Sequence, residues 1–289
     1  MEADRRFIER FERKIRETIK KYNLASEDDK ILVACSGGKD STTVLYLLQK
    51  FGYKVEALHI NLQMGQWSKQ HLANITQFCK QQAIKLHVID MREEFGCSMC
   101  YIRTSIREKA AIKNCAICGV IRRWLLNKKA KQIKADKIAT GHNLDDEVET
   151  ILMNVLKGNL ELSLGLGPRV GIVQDEEFVP RIKPLYFCTN QEVKRYAMLM
   201  QFPVLYGPCP CLASLRREIR EFLPALESVL PGMKVNLVKN FLDVVVPAAR
   251  QSYREKYKER LTVNHCKICG EPCRNEICKR CSLIEILNS

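Results

Sequence analysis

The spacing of apolar residues predicts a leading helix followed by alternating strands and helices. Phe7, Phe11, Ile15 and Ile19 recur at four-residue steps among charged residues, which predicts an amphipathic helix over residues 5–22. Short apolar runs then alternate with helical patterns. The predicted strands cover 31–35, 54–62, 85–90 and 137–140, and the predicted helices cover 41–51, 68–83, 117–134 and 144–157. This alternation favours an α/β fold with a doubly wound parallel sheet.

The rest of the chain shows no further alternation of this kind. We predict an insertion at 92–114 and, because Gly158 to Glu177 is rich in glycine and leucine without a period, a mobile loop or flap there. Helical patterns return at 190–201, 212–230 and 233–249. We divide the chain into an N-terminal amphipathic helix (1–28), a main α/β domain (29–230), a helical extension (231–262) and a small cysteine-bearing domain (263–289).

The turn after the first predicted strand carries the sequence Ser36-Gly37-Gly38-Lys39-Asp40-Ser41. The two glycines lack the Cβ atoms that keep an anion away from the backbone, and the helix that follows adds its positive dipole end. Ser36, Lys39 and Ser41 supply further donors. The lysine follows the glycines directly, so the pattern differs from a Walker loop. This turn therefore predicts a phosphate-binding loop.

A second turn, Gly141 to Asp146, connects another strand to another helix. Gly141 would let a nucleotide lie against the backbone, and Asn143 is a good helix cap. Asp145 and Asp146 are candidate ligands for Mg²⁺ or for a substrate, although acids in a first helical turn also suit the helix dipole. Since parallel strands end at one edge of a sheet, we expect this turn to meet the phosphate loop.

Composition narrows the class of partner. The 289-residue chain has 47 Lys and Arg against 33 Asp and Glu, a formal net charge of +14, which favours a polyanion such as nucleic acid. No segment approaches the roughly 18 apolar residues of a membrane span. The charged N-terminus does not resemble a secretory signal, so we expect a cytoplasmic protein without a membrane partner.

Fourteen cysteines in a cytosolic chain indicate thiolate metal chemistry rather than disulfides. The tail spacing is typical of tetrahedral structural Zn²⁺, which would supply the folding energy of so small a unit. The four predicted ligands are Cys266, Cys269, Cys278 and Cys281. Cys273, inside the loop between them, could compete for the metal.

A lone CxxC knuckle, Cys115 with Cys118, needs ligands from elsewhere. Cys209 lies in a Pro-bounded turn suited to presenting one thiolate; together these three would hold a [4Fe-4S] cluster with its fourth iron open to a ligand such as sulfide. A rival interpretation pairs the knuckle with Cys97-x2-Cys100 as a second zinc site. A redox-active or inert CxxC is a third interpretation.

Five motifs together resemble the tRNA 2-thiouridine synthases, PP-loop enzymes related to the tRNA 2-thiocytidine synthases. They are SGGKDS at 36–41, NCAICGVIRR at 114–123, ATGHNLDDEVET at 139–150, CP at 209–210 and PGMKVNLV at 231–238, in the family's order. The resemblance spans roughly residues 5–285. It implies a PP-loop ATP pyrophosphatase domain that adenylates the C2 oxygen of a pyrimidine in tRNA before sulfur transfer.

The resemblance also implies cofactors and residue roles. ATP and Mg²⁺ would bind at Ser36, Gly37, Gly38, Ser41 and Gly141, the cluster at Cys115, Cys118 and Cys209, and zinc at the tail cysteines. Asp40, Asp145, Lys39 and Arg122 match catalytic positions. Arg122 stands where some bacterial members have a catalytic lysine, and an arginine stays protonated, which disfavours it as a base. The implied partners are tRNA, a sulfur donor (sulfide or a thiocarboxylated ubiquitin-like protein) and a second copy of the chain.

The chain also departs from the family pattern. It has no cysteine before Cys35, where the family usually carries an N-terminal zinc finger, and Cys97, Cys100, Cys211 and Cys273 are additional. Uridine 34, uridine 54 and cytidine 32 therefore all remain open as targets. A PP-loop ligase with zinc-only cysteine sites and a non-catalytic zinc-containing RNA-binding module are the alternatives from other classes.

Overall fold

The computed structural model describes residues 2–170, 178–207, 209, 214–249, 251, 264–273 and 275–289. The order of elements follows the predicted alternation. The first half contains α1 Glu2–Lys21, β1 Lys30–Ala34, α2 Lys39–Lys50, β2 Lys54–Asn61, α3 Gln66–Gln81, β3 Leu86–Asp90, α4 Met91–Phe95, α5 Met99–Lys109, α6 Asn114–Gln132 and β4 Lys137–Ala139. The second half contains α7 Leu144–Leu156, β5 Arg169–Val170, β6 Arg181–Ile182, α8 Asn190–Leu199, α9 Ser214–Val229, α10 Met233–Asn240, a π-helical segment Phe241–Val245, β7 Asn264–His265, β8 Pro272–Cys273 and a C-terminal helix Lys279–Asn288.

One six-stranded sheet has the order β3-β2-β1-β4-β6-β5. Its strands are parallel, apart from β5, which runs antiparallel to β6. The chain moves outward from β1 to β3 and then returns to place β4 on the other side of β1. A crevice opens at such a reversal, beyond the carboxyl ends of the two strands. The predicted fold class is confirmed, and the crevice lies where residues 36–41 and 141–146 follow β1 and β4.

Alternation along β1 builds two core layers. Ile31 and Val33 pack with α1, α2, α3 and α8 on one face of the sheet. Leu32 packs on the other face with Leu126 and Ala130 of α6. All five side chains are buried. Because successive strand residues point to opposite faces, one short apolar run is covered by helices on both sides.

Two regions contain more regular structure than the apolar spacing indicates. The insertion at 92–114 contains α4 and α5, and α6 begins at Asn114 rather than at residue 117. The side chains of Asp90 and Ser98 cap α4 and α5 by accepting backbone N–H bonds, so short polar residues start helices that apolar spacing alone does not reveal. Within 158–177, residues 160–165 form a 3-10 helix and Arg169–Val170 forms β5, while 171–177 lie outside the described residues.

The C-terminal elements pack against the main domain. Ile219 of α9 and Val238 of α10 share one apolar cluster with Leu144 and Val148 of α7, so the predicted boundary at 230/231 separates helices that pack together. The C-terminal helix contributes Leu283 to a cluster with α5 and α6. No described helix has the length and apolar character needed to cross a membrane.

Candidate active site

The phosphate loop is held in shape by its own hydrogen bonds. The hydroxyl of Ser41 accepts a hydrogen bond from Ser36 N at 3.1 Å and donates to Gly38 O at 3.2 Å. Gly37 has φ +82°, and a Cβ placed on it would lie 2.5 Å from the carbonyl oxygen of His71. Gly38 precedes the first turn of α2 as its N-cap. The turn therefore curls around Ser41 at a helix N-terminus, an arrangement that suits an anion.

The second turn packs directly on the first. A Cβ on Gly141 would lie 2.7 Å from Ser41 N and 2.8 Å from the carbonyl carbon of Asp40, so only glycine permits this approach. Asn143 caps α7 with its Oδ1 and donates from Nδ2 to Asp40 Oδ1 at 3.0 Å. The structure thus brings Ser36, Gly37, Gly38, Lys39, Asp40, Ser41 and Gly141 together in the crevice.

The two predicted acids have different surroundings. Asp40 is paired with its neighbour Lys39, whose Nζ lies 2.7 Å from Oδ1. Asp145 accepts from Lys234 Nζ at 2.7 Å through Oδ1 and from Asn190 N at 2.6 Å through Oδ2. Asp145 therefore links α7 to α8 and α10, whereas Asp40 stays with the phosphate loop.

The other acids of α7 are also paired with cations from later elements. Arg220 contacts Asp146 at 3.4 Å and Glu149 at 2.6 Å, and Arg216 contacts Glu149 at 3.0 Å. These bonds fasten α9 onto the first turns of α7. No three acids in the described part of the chain come together as a ready-made Mg²⁺ site, so any such ion at the loop would depend on ligands from the nucleotide as well.

A buried ion pair fixes the strand that borders the crevice. Lys183 Nζ lies 2.5 Å from Glu147 Oε1, and both residues are buried. We expect Lys183→Met to lower the free energy of unfolding by about 3–5 kcal/mol, because Glu147 would be left buried without its partner. Denaturant titration would measure this, and the double variant with Glu147→Leu should recover most of the loss. A single variant as stable as the parent would contradict this.

Two histidines that the sequence patterns did not single out lie beside the loop. His59 and His71 line a cavity of about 40 Å³ together with Ser36 and Arg122. His59 Nε2 and His71 Nδ1 are buried without a hydrogen-bond partner. Desolvation lowers the pKa of both imidazoles, so both are neutral near pH 7. A signal was present in β2, where His59 interrupts an otherwise apolar run. The two imidazoles therefore add neutral polar contacts to a cavity whose charged group is Arg122.

Cys115, Cys118 and Arg122 lie on one face of α6. Their spacing of three and four residues places them on neighbouring turns. Cys118 lies about 6 Å and Cys115 about 10 Å from Arg122 along the helix axis. Cys115 is exposed and Cys118 is half-buried. Arg122 reaches the cavity beside Ser36. One helix face therefore runs from the phosphate loop to the two thiols.

The backbone before Cys209 approaches the same loop. Leu205 forms a parallel bridge with Gly38, and Cys209 follows four residues later and is exposed. Four residues of chain extend at most about 14 Å, so Cys209 is confined to the neighbourhood of the crevice. Cys211, the other cysteine of the predicted turn, lies outside the described residues.

The tail cysteines form a tetrathiolate site. The sulfurs of Cys266, Cys269, Cys278 and Cys281 all lie within 4.8 Å of one another. Sulfurs bound to one Zn²⁺ at about 2.3 Å are roughly 3.8 Å apart in a tetrahedron, and Cys269 Sγ to Cys278 Sγ is 3.6 Å. The Cys278 backbone N–H donates to Cys266 Sγ at 3.2 Å. The donor set and spacing fit a structural zinc ion.

The rival zinc site is not assembled. Within the described ranges, the tail supplies the only group of three or more Cys, His, Asp or Glu ligands at single-ion spacing. Cys97, Cys100, Cys115 and Cys118 are all described and form no such group. The thiolates of a cubane bind separate irons and so lie farther apart than those around one ion. Among the described residues, Cys115 and Cys118 do not form a zinc tetrathiolate with Cys97 and Cys100, and the cluster stays a prediction.

The tail is docked onto the helix that carries the CxxC. The guanidinium of Arg280 lies 4.2 Å from the ring centroid of Trp124 on α6 and donates to Cys281 Sγ at 3.6 Å. Asn127, also on α6, donates to Glu271 Oε2 at 2.9 Å. The side chains of Arg280 and Asn127 therefore connect the cysteine-bearing tail to α6.

Comparison with known proteins places this geometry in a family. A PP-loop domain model matches residues 8–203. The tRNA-5-methyluridine(54) 2-sulfurtransferase of Pyrococcus horikoshii is 35% identical over 280 residues, which cover 96% of this chain and 86% of that protein. The chain belongs to the PP-loop tRNA 2-thiolation family. The predicted family and the predicted enzyme class, a tRNA sulfurtransferase, are confirmed.

Relatives within this 2-thiolation family differ in the nucleotide named. Cytoplasmic tRNA 2-thiolation protein 1 of Dictyostelium discoideum is 31% identical over 287 residues, covering 96% of this chain and 76% of that protein. The solved U34-tRNA thiolase NcsA from Methanococcus maripaludis, with its [4Fe-4S] cluster, superimposes with a TM-score of 0.77 at 28% identity, covering 98% of this chain and 88% of that one. The family is therefore established while the target nucleotide stays a prediction.

Proposed function

We propose that this protein is an ATP-dependent tRNA 2-thiouridine synthase that adenylates the C2 oxygen of a uridine and replaces that oxygen with sulfur. The observation that carries the proposal is the single helix face of α6, on which Arg122 reaches the phosphate loop while Cys118 lies one turn away and Cys115 two turns away. Adenylation takes place at the oxygen on C2, and sulfur then attacks C2 itself. The phosphate loop and the two thiols must therefore both reach the same part of the base.

In the first step, the C2 oxygen attacks the α-phosphorus of ATP, and pyrophosphate leaves. The backbone of Gly37 and Gly38, the hydroxyl of Ser41 and the N-terminus of α2 lie where they would hold the departing phosphates. Lys39 adds positive charge there, with Asp40 holding its ammonium group in place. We assign Asp145, already engaged by Lys234, to positioning α7 and its cap Asn143 against this loop.

In the second step, a sulfur attacks C2, the C2–O bond breaks, and AMP leaves with the oxygen. Cys115, Cys118 and Cys209 would hold the [4Fe-4S] cluster, which when bound supplies an open iron for the transferred sulfur. The permanently protonated guanidinium of Arg122 would stabilise negative charge as AMP departs. It is unsuited to removing a proton, so we assign it no role as a base.

Other parts of the proposal rest on the family. Mg²⁺ would accompany ATP, Zn²⁺ would occupy the tail cysteines, and the donor would be sulfide or a thiocarboxylated ubiquitin-like protein. We also propose a cytoplasmic homodimer. Uridine 54 is named for the Pyrococcus relative and uridine 34 for NcsA, so both are candidate targets here. Cytidine 32 is the alternative implied by the thiocytidine branch.

The test is reconstitution with unmodified tRNA, ATP, Mg²⁺ and sulfide under anaerobic conditions. Mass spectrometry of digested nucleosides should show a 2-thiouridine, and a tRNA with the target uridine replaced should identify its position. One pyrophosphate should be released per sulfur incorporated. Pyrophosphate release without any thiolated nucleoside would instead support a PP-loop ligase, and 2-thiocytidine would assign the chain to the other branch.

A further inference from the structure

Three arginines without acidic partners form an arginine cluster on α6 and at the start of β6. Arg122 and Arg123 are adjacent on α6, and Arg181 begins β6. None of them forms an ion pair with a carboxylate in the described part of the chain. Most other cations near the crevice are paired, including Lys183, Arg216, Arg220 and Lys234. The positive charge of this arginine cluster is thus not neutralised by the surrounding protein.

The backbone geometry brings Arg123 and Arg181 opposite each other. Val179 N donates to Asn127 Oδ1 at 3.0 Å, which fixes the strand segment against α6 at that point. Arg123 lies one helical turn before Asn127, and Arg181 lies two strand residues after Val179. Both steps advance by about 6–7 Å, so the two residues stand at the same level of α6 and β6, and the charge of Arg123 acts on Arg181.

Local contacts hold both side chains in defined positions. The Arg123 guanidinium folds back over its own helix, with Nη1 3.1 Å from where a Cβ on Gly119 would be, next to Cys118. The Arg181 guanidinium lies 4.9 Å from the ring centroid of Phe178, and its buried Nε has no hydrogen-bond partner. Gly119 leaves room for the guanidinium of Arg123, and the Phe178 ring supports that of Arg181, so both groups are held in place.

The charges in the cluster affect one another. Desolvation, followed by the charge of Arg123, lowers the pKa of Arg181 to about 10. Desolvation also lowers the pKa of His142, and Lys183, Arg122, Arg216 and Arg181 lower it further, even though its side chain reaches solvent. Close like charges without a counterion cost folding free energy, so their retention points to an anion that binds among them.

We propose that Arg123 and Arg181 bind a phosphate of the tRNA backbone next to the nucleotide being modified. The inference rests on the proposed function and adds a specific contact to it. A base presented to Arg122 and Cys118 would carry its phosphate one sugar away, and Arg123 is the neighbour of Arg122 on α6 and lies over Gly119, next to Cys118. Guanidinium groups bind phosphate through paired charge-assisted hydrogen bonds. The +14 net charge favours RNA over an acidic peptide as the source of this anion.

The test compares tRNA binding of Arg123→Gln, Arg181→Gln and a control, Arg217→Gln, which removes the same charge from an exposed position on α9. Affinity is measured across a salt series with unmodified tRNA and no sulfur donor. We expect each cluster variant to bind about tenfold more weakly and to reduce the slope of log K against log salt by about one. The control and the ATP affinity should stay at parental values. Arg123→Lys, which keeps the charge, should restore the slope.

Unchanged tRNA affinity and salt slope in both glutamine variants would overturn the phosphate assignment. If those variants instead need more of a thiocarboxylated donor protein while sulfide-driven turnover is normal, the anion is that protein's C-terminal tail, which equally overturns it. Failure of the parental protein to bind tRNA at all would count against the proposed function itself, and the two failures are therefore distinguishable.

Discussion

Alanine at Cys118 is expected to remove iron from the protein and to abolish thiolation, while ATP still binds. Cys118 is half-buried in the second turn of α6, and alanine is a good helix former there, so the fold should survive. Two remaining thiolates would not hold a cubane that needs three. Iron and acid-labile sulfide are measured on anaerobic protein, together with the broad visible absorbance of the cluster and the yield of thiolated nucleoside.

The matched control is Cys97→Ala, because Cys97 is also half-buried and packs in the same apolar cluster. It should retain iron, absorbance and activity, with about one zinc per chain left in the tail. The zinc interpretation demands the reverse pattern: two zinc ions, no iron, and the loss of one zinc from either variant. Finding that pattern would remove the cluster from the mechanism.

Gly37→Ala is expected to reduce pyrophosphate release by about 100-fold or more, as when a preorganised charge-stabilising group is lost. The new Cβ would meet the carbonyl oxygen of His71 at 2.5 Å, and that oxygen belongs to the backbone of α3 and cannot rotate away. The loop must therefore shift, and its N–H groups would no longer point at the phosphates. ATP affinity and single-turnover pyrophosphate release would measure the effect.

Gly65→Ala separates this effect from ordinary backbone strain. Gly65 also has positive φ, +65°, but a Cβ there would meet nothing within 4 Å. Both substitutions place a side chain at positive φ, which costs about 1–3 kcal/mol, so both should lower the melting temperature. Only the loop variant should lose activity. Equal loss in the two variants would mean that strain, rather than the shape of the phosphate loop, explains the defect.

The elements that could be predicted from the sequence are those whose signals are local. Ile31 to Val33 is a continuous apolar run, and the small-residue turn after it marks the loop by composition alone. The convergence of Gly141 with that loop followed from a general property of parallel sheets. The tail cysteines carried their spacing in the sequence, and the structure brings their four sulfurs together.

The rest depends on pairings between distant segments. Nothing local in the sequence indicates that Asp145 meets Lys234, 89 residues later, or that Asn143 rather than Asp145 contacts Asp40. Arg123 and Arg181 stand at the same level because Asn127 accepts a hydrogen bond from Val179, just before β6, and so holds that segment against α6. Helices α4 and α5 were missed because the first is a single short turn and the second follows a cap that resembles a loop residue. Long-range packing decides such features, and residue spacing does not encode it.

The bridge between Gly38 and Leu205 has a kinetic consequence. The same stretch of backbone borders the phosphates on one side and leads to Cys209 on the other. A nucleotide that moved Gly38 would also move the backbone that leads from Leu205 to Cys209. We therefore expect adenylation and sulfur transfer to be kinetically coupled. The position of Cys209 should depend on which nucleotide is bound, and slow release of pyrophosphate should delay the release of AMP.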